Sequence, residues 1–313
     1  MQQKIAFIVP YFGRFPEHFP FFLTTCKNNP TFTWFVFTDD NREFDYPPNV
    51  IVEKTTLKEI RQSFEQKLGF KVALEKPYKM CDFKALYGYL FSEYLIDFTH
   101  WGYCDIDLLL GNLESFLTDQ DLQVYDKISV LGHLSVIKNN PEINSTFKKC
   151  DYQEILKDPN NRIFDEVRFE PNINSLMRAS GYNVKLTIPY ADIDMTHYSF
   201  GLFEYNGGAR CAPIPRVPLI FEYSDGSIYG CEAIKGAVTR KEYAYVHFQK
   251  RKIVCDISPC KHFLLVPNRI CEHQVVTPEL ILKNSKDSFT YYIKQHYKRI
   301  CNAIRIRIKR RSL

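Results

Sequence analysis

The chain reads as an α/β protein: a mostly parallel central sheet flanked by helices. Three observations predict this. The first hundred residues alternate short apolar runs with segments whose apolar residues recur at helical spacing. Those runs end in polar or turn-forming clusters, at the carboxyl ends of strands where open parallel sheets bind ligands. The chain also has 313 residues, 45% of them apolar and 15% aromatic, which is enough for a large buried core and sets global disorder aside.

Taken in order, Lys4–Val9 is a β-branched run closed by Pro10-Tyr11-Phe12-Gly13. Glu17–Lys27 carries Phe19, Phe22, Leu23 and Cys26 at helical spacing and stops at Asn28-Asn29-Pro30. Thr33–Thr38 is a second strand, followed by Asp39-Asp40-Asn41, and Val50–Val52 is a third. Thr56 caps a helix to about Leu68, with Leu57, Ile60, Phe64 and Leu68 as its apolar stripe and Gly69 as its stop. Phe83–Phe98 reads as a further helix and Thr99–Cys104 as a further strand. The strand-end rule then selects Pro10–Arg14, Thr38–Asp40 and Asp105–Asp107 as places for a site.

The middle repeats the pattern less clearly, with a strand at Ile128–Leu131 and a helix at Asn172–Gly181. From Tyr190 to Cys231 glycine, proline and aromatics dominate, which reads as long loops lining a site. Strand character returns over Glu242–Gln249. The division expected is a domain over 1–285, with halves at about 1–125 and 126–285, followed by a tail over 286–313.

The formal charge of +5 is unevenly spread. Eight basic and no acidic residues lie from Lys294 onward, which leaves 33 basic against 36 acidic residues in the body. A protein that coats nucleic acid is therefore disfavoured. In the tail Ile293, Tyr297, Ile300, Cys301, Ile304 and Ile308 share one side of a helical wheel, beside Lys294, Lys298, Arg305 and Lys309. Arg307 and Arg311 intrude on the apolar face. This predicts a C-terminal amphipathic basic helix on an anionic membrane surface, or a helix docked on the domain. No apolar run is long enough to cross a bilayer, and the N-terminus lacks the apolar core of a signal peptide. Ten cysteines without a Cys-x-x-Cys pair read as reduced thiols of a cytoplasmic protein. Cys255, Cys260, His262, Cys271 and His273 are metal-ligand types, but their spacing fits no standard zinc finger.

The most chemical feature is Trp101-Gly102-Tyr103-Cys104-Asp105-Ile106-Asp107. Carboxylates at i and i+2 of an extended chain face the same side. Such hard oxygen ligands suit Mn2+ or Mg2+ bridging a diphosphate, which would help a diphosphate to leave. Asp-x-Asp also occurs at Asp119/Asp121 and Asp192/Asp194, where it reads as a solvated turn and as a loop or acceptor contact. Only Asp105/Asp107 ends an apolar strand within the alternating half.

Ile8-Val9-Pro10-Tyr11-Phe12-Gly13, then Thr38-Asp39-Asp40, then Asp105-Ile106-Asp107 resembles a GT-A glycosyltransferase, whose fold is Rossmann-like. More narrowly, Lys79-Met80-Cys81-Asp82-Phe83-Lys84, Asp105-Ile106-Asp107-Leu108 and Tyr245-Val246-His247-Phe248-Gln249-Lys250 resemble a bacterial family encoded with capsule, exopolysaccharide and lipopolysaccharide genes. The resemblance runs from about residue 3 to residue 270. It implies a nucleotide site at Pro10, Tyr11 and Phe12, with Asp39 or Asp40 nearby, and a metal held by Asp105, Asp107 and His247. A packed aromatic pair and a packed strand histidine are the plainer readings of Tyr11, Phe12 and His247. Lys79 and Lys84 are candidates for phosphate or ribose, and Asp82 for the same region or for a helix cap. Lys250, followed by Arg251 and Lys252, is a candidate diphosphate clamp. Asp165 or Glu166 is a candidate base for an acceptor hydroxyl, or a solvated acidic pair.

The function implied is a metal-dependent glycosyltransferase. It would move a sugar from a nucleotide-sugar donor, a UDP-sugar, to a saccharide or lipid-linked saccharide acceptor of a bacterial surface polysaccharide. The expected location is cytoplasmic and peripheral on the inner face of the cell membrane. Two alternatives remain at this point. One is sugar-phosphate nucleotidyl transfer, although Gly13 stands alone where a glycine-rich phosphate loop belongs. The other is a non-catalytic membrane-associated binding protein of a polysaccharide assembly complex.

Overall fold

Strand Ile5–Pro10 is apolar throughout because both of its faces are covered. Ala6 and Ile8 enter one core with Phe35, Phe37, Trp101 and Tyr103. Ile5, Phe7 and Val9 enter another with Trp34, Val36 and Cys104. Around it forms a seven-stranded sheet in the order Val50–Lys54, Phe32–Thr38, Ile5–Pro10, His100–Cys104, Leu134–Lys138, Lys127–Ile128, Val184–Lys185. The first four strands are mutually parallel, whereas Leu134–Lys138 runs antiparallel to both neighbours. Gly102 permits the close approach within this sheet, since a Cβ there would clash with the Ser135 carbonyl oxygen. The computed structural model describes residues 3–167, 170–205, 207, 211–297 and 300–301.

Helices Phe19–Lys27 and Leu57–Leu68 fall where the sequence places them. The second has the reciprocal Thr56–Glu59 capping box and a left-handed Gly69 at its end. Asn172 caps Ile173–Ala179 in the same way, and Gly181 follows at positive φ.

Four expectations need correction. The continuous helix over Phe83–Phe98 is instead a 3-10 segment Pro77–Leu86, one α-turn Tyr87–Leu90 and a 3-10 turn Ser92–Tyr94. The reason is that Lys79, Asp82 and Lys84 are buried together with the apolar residues, so no amphipathic face exists. The tighter 3-10 winding stacks residues i and i+3, which sets Lys79 beside Asp82. The strand at Ile128–Leu131 is only Lys127–Ile128, because Ser129 turns the chain at φ 72°. The buried Lys127 ammonium reaches back to the Ser129 carbonyl oxygen and to Ser135 Oγ, 2.8 Å away.

The third correction is the segment from Tyr190 to Cys231, which is largely strand rather than loop. Its strands join two further sheets. One has the order Cys211–Pro213, Leu202–Tyr205, Tyr190–Ile193, Tyr245–His247, Leu108–Leu110. The other has the order Ala237–Tyr243, Ser227–Ile234, Leu219–Ser224, His262–Val266, Arg269–Glu272, Val254–Cys255. The prolines mislead because Pro213 sits in an edge strand, where a missing donor is harmless, and Pro215 and Pro218 lie between strands. The fourth follows from it: parallel pairing is concentrated in the first sheet, and the other two are mainly antiparallel.

Residues 289–297 are helical, with Phe289, Ile293 and Tyr297 exposed. The base of this helix is docked. Asp287 accepts the Tyr198 backbone N–H at 2.9 Å and pairs with Arg216, and Tyr291 packs edge-on against Tyr198. The rest of the expected amphipathic helix, with Ile304, Arg305, Arg307, Ile308 and Lys309, lies outside the described residues. No helix among those described is long and apolar enough to cross a membrane.

Lys79 and Asp82 form the deepest ion pair, 2.7 Å apart, at 2% and 0% side-chain exposure. Lys79 also donates to the Ile155 and Asn160 carbonyls, while Asp82 accepts the Arg162 and Phe164 N–H groups. Lys79→Met leaves Asp82 buried without its cation and should cost about 3–5 kcal/mol in urea unfolding. A loss under about 1 kcal/mol would mean that backbone donors alone satisfy Asp82.

Candidate active site

Asp105-Ile106-Asp107 links the first sheet to the second. The chain leaves strand His100–Cys104, and Asp105 N–H donates to the His133 carbonyl at 2.9 Å. Ile106 turns inward to the core, so Asp105 and Asp107 project together on the other side. The next strand, Leu108–Leu110, pairs antiparallel with Tyr245–His247, with Leu108 opposite His247. On its other edge Tyr245–His247 pairs in parallel with Tyr190–Ile193, with His247 opposite Asp192.

This double pairing delivers the imidazole between two carboxylates. His247 Nδ1 donates to Asp192 Oδ1 at 2.8 Å, and Nε2 lies 3.5 Å from Asp107 Oδ1. Gln249, held at φ 55°, donates to the same Asp192 oxygen at 2.9 Å. The His133 ring stacks on His247 at 4.4 Å between centroids. Burial alone would lower the His247 pKa, but Asp107 and Asp192 outweigh it and hold the ring well above the usual histidine value. Against the same burial, His247 holds Asp107 below the ordinary carboxylate range.

Ligand atoms of Asp105, Asp107 and His247 all lie within 4.8 Å of one another. Two carboxylate oxygens and an imidazole nitrogen suit Mn2+ or Mg2+, and the residues present fit such an ion. Asp192 supplies what a ligating histidine ordinarily has, a carboxylate on its far nitrogen that fixes tautomer and ring orientation. His133, Asp192 and His247 also group within the same distance, but Asp192 Oδ1 is already engaged by His247 and Gln249. Among the described residues Cys255, Cys260, His262, Cys271 and His273 form no such group.

The carboxylates face a cavity of about 520 Å³. Pro10, Tyr11, Phe12, Lys84, Asp105, Asp107 and Lys250 line it, so the structure brings these sequence-selected residues together. His247 stands behind Asp107. Asp39 and Asp40 stand behind the first loop rather than in the cavity. Asp39 Oδ1 accepts the Gly13 N–H at 2.6 Å, Asp40 Oδ2 accepts the Phe15 N–H at 2.8 Å, and Arg42 closes on Asp40. The two carboxylates thus fasten the loop that carries Tyr11 and Phe12. Lys79 and Asp82 are spent on each other, outside the lining.

Lys84 bridges two acids. Its ammonium donates to Asp105 Oδ1 and to the Gly132 carbonyl, each at 2.7 Å, and lies 3.7 Å from Asp165 Oδ2. Asp165 is buried, its Oδ1 has no hydrogen-bond partner among the described residues, and burial pushes its pKa up to about 8, with Glu166 and Asp105 adding to the effect and Lys84 opposing it. Neither Asp165 nor Glu166 lines the cavity. Both crowd Gly132, where a Cβ would lie 2.7 Å from an oxygen of each. Arg251 turns away from diphosphate duty, since its guanidinium bonds the Asp194, His197, Tyr198 and Ser199 carbonyls.

Sequence reasoning missed Asp192 as the partner of His247, and it missed Gln249 and His18; it placed Gly132-His133 on the acceptor side, whereas the His133 ring stacks on His247. The signal for Asp192 lay in Tyr190-Ala191-Asp192-Ile193. Ala191 and Ile193 are core, which turns Asp192 to the opposite face.

The sequence matches a family of unknown function, DUF6625, over residues 7–274. The chain belongs to that family. No curated protein matches it in sequence. Among solved structures, this DUF6625 chain is similar to the galactosyltransferase LgtC in complex with donor and acceptor sugar analogs, at 12% identity and a TM-score of 0.32. That likeness covers 59% of this chain and 73% of LgtC. An active-site mutant of LgtC aligns at 13% identity and a TM-score of 0.31, covering 51% of this chain and 66% of its own. The apo-form glycosyltransferase GlyE of Streptococcus pneumoniae TIGR4 aligns at 12% identity and 0.30, over 59% of this chain but only 45% of its own. Likenesses this distant assign no activity.

Two outcomes follow from the geometry. Asp192→Ala touches no ligand position, yet should weaken Mn2+ binding about 10–100-fold by calorimetry, because His247 loses its orienting partner. Unchanged affinity would reduce Asp192 to a packing role. Burial also lowers the pKa of His18 to about 4 and of His133 to about 3, so both fold as neutral rings. Unfolded, they take protons near pH 6.5, so stability should be lost as pH falls from about 6.5 towards 4. Melting temperatures across that window read the slope, and His133→Asn should flatten it.

Proposed function

We propose that the chain is a metal-dependent glycosyltransferase of GT-A type, drawing on a nucleotide-sugar donor. The observation that carries this is the convergence of Asp105, Asp107 and His247, with both carboxylates opening on a cavity lined by Pro10–Phe12 and Lys250. When bound there, a divalent ion supplies charge neutralisation for a departing diphosphate.

The chain's own residues account for the remaining roles. Tyr11 lines the cavity with its ring stacked on Phe15 at 5.0 Å, a preformed aromatic face for a nucleotide base such as uracil. Lys84 counters the Asp105 charge from behind while leaving its carboxylate 36% exposed towards the cavity. Lys250 lies on the opposite wall with its ammonium over the Tyr78 ring, 5.0 Å from the centroid, as a cation for the donor diphosphate. For the acceptor base, neither Asp165 nor Glu166 lines the cavity, and the supported role of Asp165 is to position Lys84.

The acceptor class proposed is a saccharide, lipid-linked, of a bacterial surface polysaccharide, with the chain peripheral on the inner face of the membrane. Exposed Phe289, Ile293 and Tyr297 on the docked C-terminal helix support an interfacial segment of that kind.

The decisive measurement is calorimetric titration of UDP and UDP-sugars with and without Mn2+, on wild type and Asp107→Ala. Wild type should bind UDP at least about tenfold more tightly with Mn2+ present, and Asp107→Ala should lose that gain. Absence of any Mn2+-dependent nucleotide binding by the wild type would sink the proposal. Metal-dependent binding that survives Asp107→Ala would remove Asp107 from the metal.

A further inference from the structure

A second concave groove of about 430 Å³ adjoins the cavity, lined by Arg14–His18, Arg42, Arg251, Lys252 and Ile253. Pro16, His18, Arg251 and Lys252 line both spaces, so the two share a wall. Among the described residues lining the groove, four are Arg or Lys and only Glu17 is acidic, in a body that is otherwise net acidic. Two of these cations are already used. Arg251 is spent on carbonyls, and Arg42 is held by Asp40 and by the Phe15 carbonyl oxygen at 2.8 Å. The other two are free. Arg14 and Lys252 are exposed, and among the described residues neither side chain has a hydrogen-bond or ion-pair partner.

Two further observations point to a ligand rather than to a solvated face. Helix Phe19–Lys27 starts at the groove with His18 as its N-cap, no side-chain cap and no acid in its first turn. Its first-turn N–H groups are met locally, Phe19 by the Pro16 carbonyl at 3.1 Å and Phe21 by the His18 carbonyl at 2.9 Å, so this end contributes through the helix dipole alone. His18 itself is 3% exposed, and in the wall between groove and cavity its buried Nε2 makes no full hydrogen bond among the described residues, with only the Ile106 carbonyl close to the ring. A buried unpaired ring nitrogen there is expensive unless a ligand or water completes it.

We propose that this groove is an anion subsite for the acceptor, taking a phosphate group that the acceptor carries. The inference rests on the reading above that the neighbouring cavity holds the donor, since an acceptor must then enter beside it. Arg14 and Lys252 bind the phosphate, and the shared wall at His18 brings the acceptor towards Asp107. The phosphate belongs either to a lipid-linked saccharide or to a soluble sugar phosphate, and the two can be told apart.

The full chain, saturated with UDP and Mn2+ so that the donor cavity is filled, is titrated with decyl phosphate, with glucose 1-phosphate and with decanol. Wild type should bind at least one of the phosphates and not decanol. Tighter binding of decyl phosphate assigns a lipid source, and tighter binding of glucose 1-phosphate a soluble one. Arg14→Gln, which touches only the groove, should weaken that binding about tenfold and leave UDP–Mn2+ affinity within about twofold of wild type. Lys252→Gln should weaken it similarly. A wild type that binds UDP with Mn2+ but neither phosphate overturns the subsite alone. Phosphate binding untouched by both variants overturns it too, as does loss of UDP affinity in Arg14→Gln. A wild type that fails to bind UDP with Mn2+ overturns the donor reading and this inference together.

Discussion

Three residues of backbone pairing organise the site. Strand Tyr245–His247 is held on one edge by Leu108–Leu110 and on the other by Tyr190–Ile193. Each flanking strand contributes a carboxylate at the level of His247: Asp107 immediately before Leu108, and Asp192 within its own strand. Because strand side chains alternate with a period of two, a slip of one residue would turn His247 into the core and Val246 out. The apolar partners forbid that slip. Val246, Ala191 and Leu109 pack together in one core, while Tyr245, Leu108 and Leu110 share another. Register is therefore set by hydrophobic burial, and the candidate metal centre inherits it.

The same centre needs charge compensation, because Asp105, Asp107, Asp192 and Asp165 crowd one region of a low-dielectric interior. His247 serves two of these acids and Lys84 the other two. Lys84 keeps its proton because the carboxylates outweigh the burial that opposes it. Its position is enforced from further away. The Lys79–Asp82 pair anchors the chain around Arg162 and Phe164, which in turn fixes Asp165 beside Lys84. Lys79 and Asp82 thus contribute to the site through the loop they hold and touch nothing in the cavity.

What could be read from the sequence follows the same physics. The parallel half was readable because its strands are buried on both faces and end in turn residues, and the Thr56 cap and Gly69 stop mark a helix with little tertiary dependence. Asp105/Asp107 stood out by ending such a strand. The Phe83–Phe98 segment misled because apolar spacing says nothing of charged residues buried for tertiary pairing. Tyr190–Cys231 misled because proline and glycine content was read as loop, whereas Pro213 occupies an edge where proline is tolerated. Asp192 was discounted for lying in that supposed loop. Its importance comes from a pairing of strands more than fifty residues apart in the chain, which local pattern does not encode.

The arrangement also dictates how proton and metal compete. A ligating imidazole must be neutral, yet Asp107 and Asp192 together hold His247 protonated well above its ordinary range. The imidazolium stands where a divalent cation would stand electrostatically, keeping Asp107 and Asp192 ionised. A divalent ion held by Asp105, Asp107 and His247 would take the place of that proton, so the carboxylates would be compensated in either state. Asp192 is suited to both states, because its hydrogen bond is made to Nδ1 and leaves Nε2 as the nitrogen that would exchange its proton for a metal. On the proposed metal reading, the Asp107–His247–Asp192 pairing would be the resting form of the coordination site.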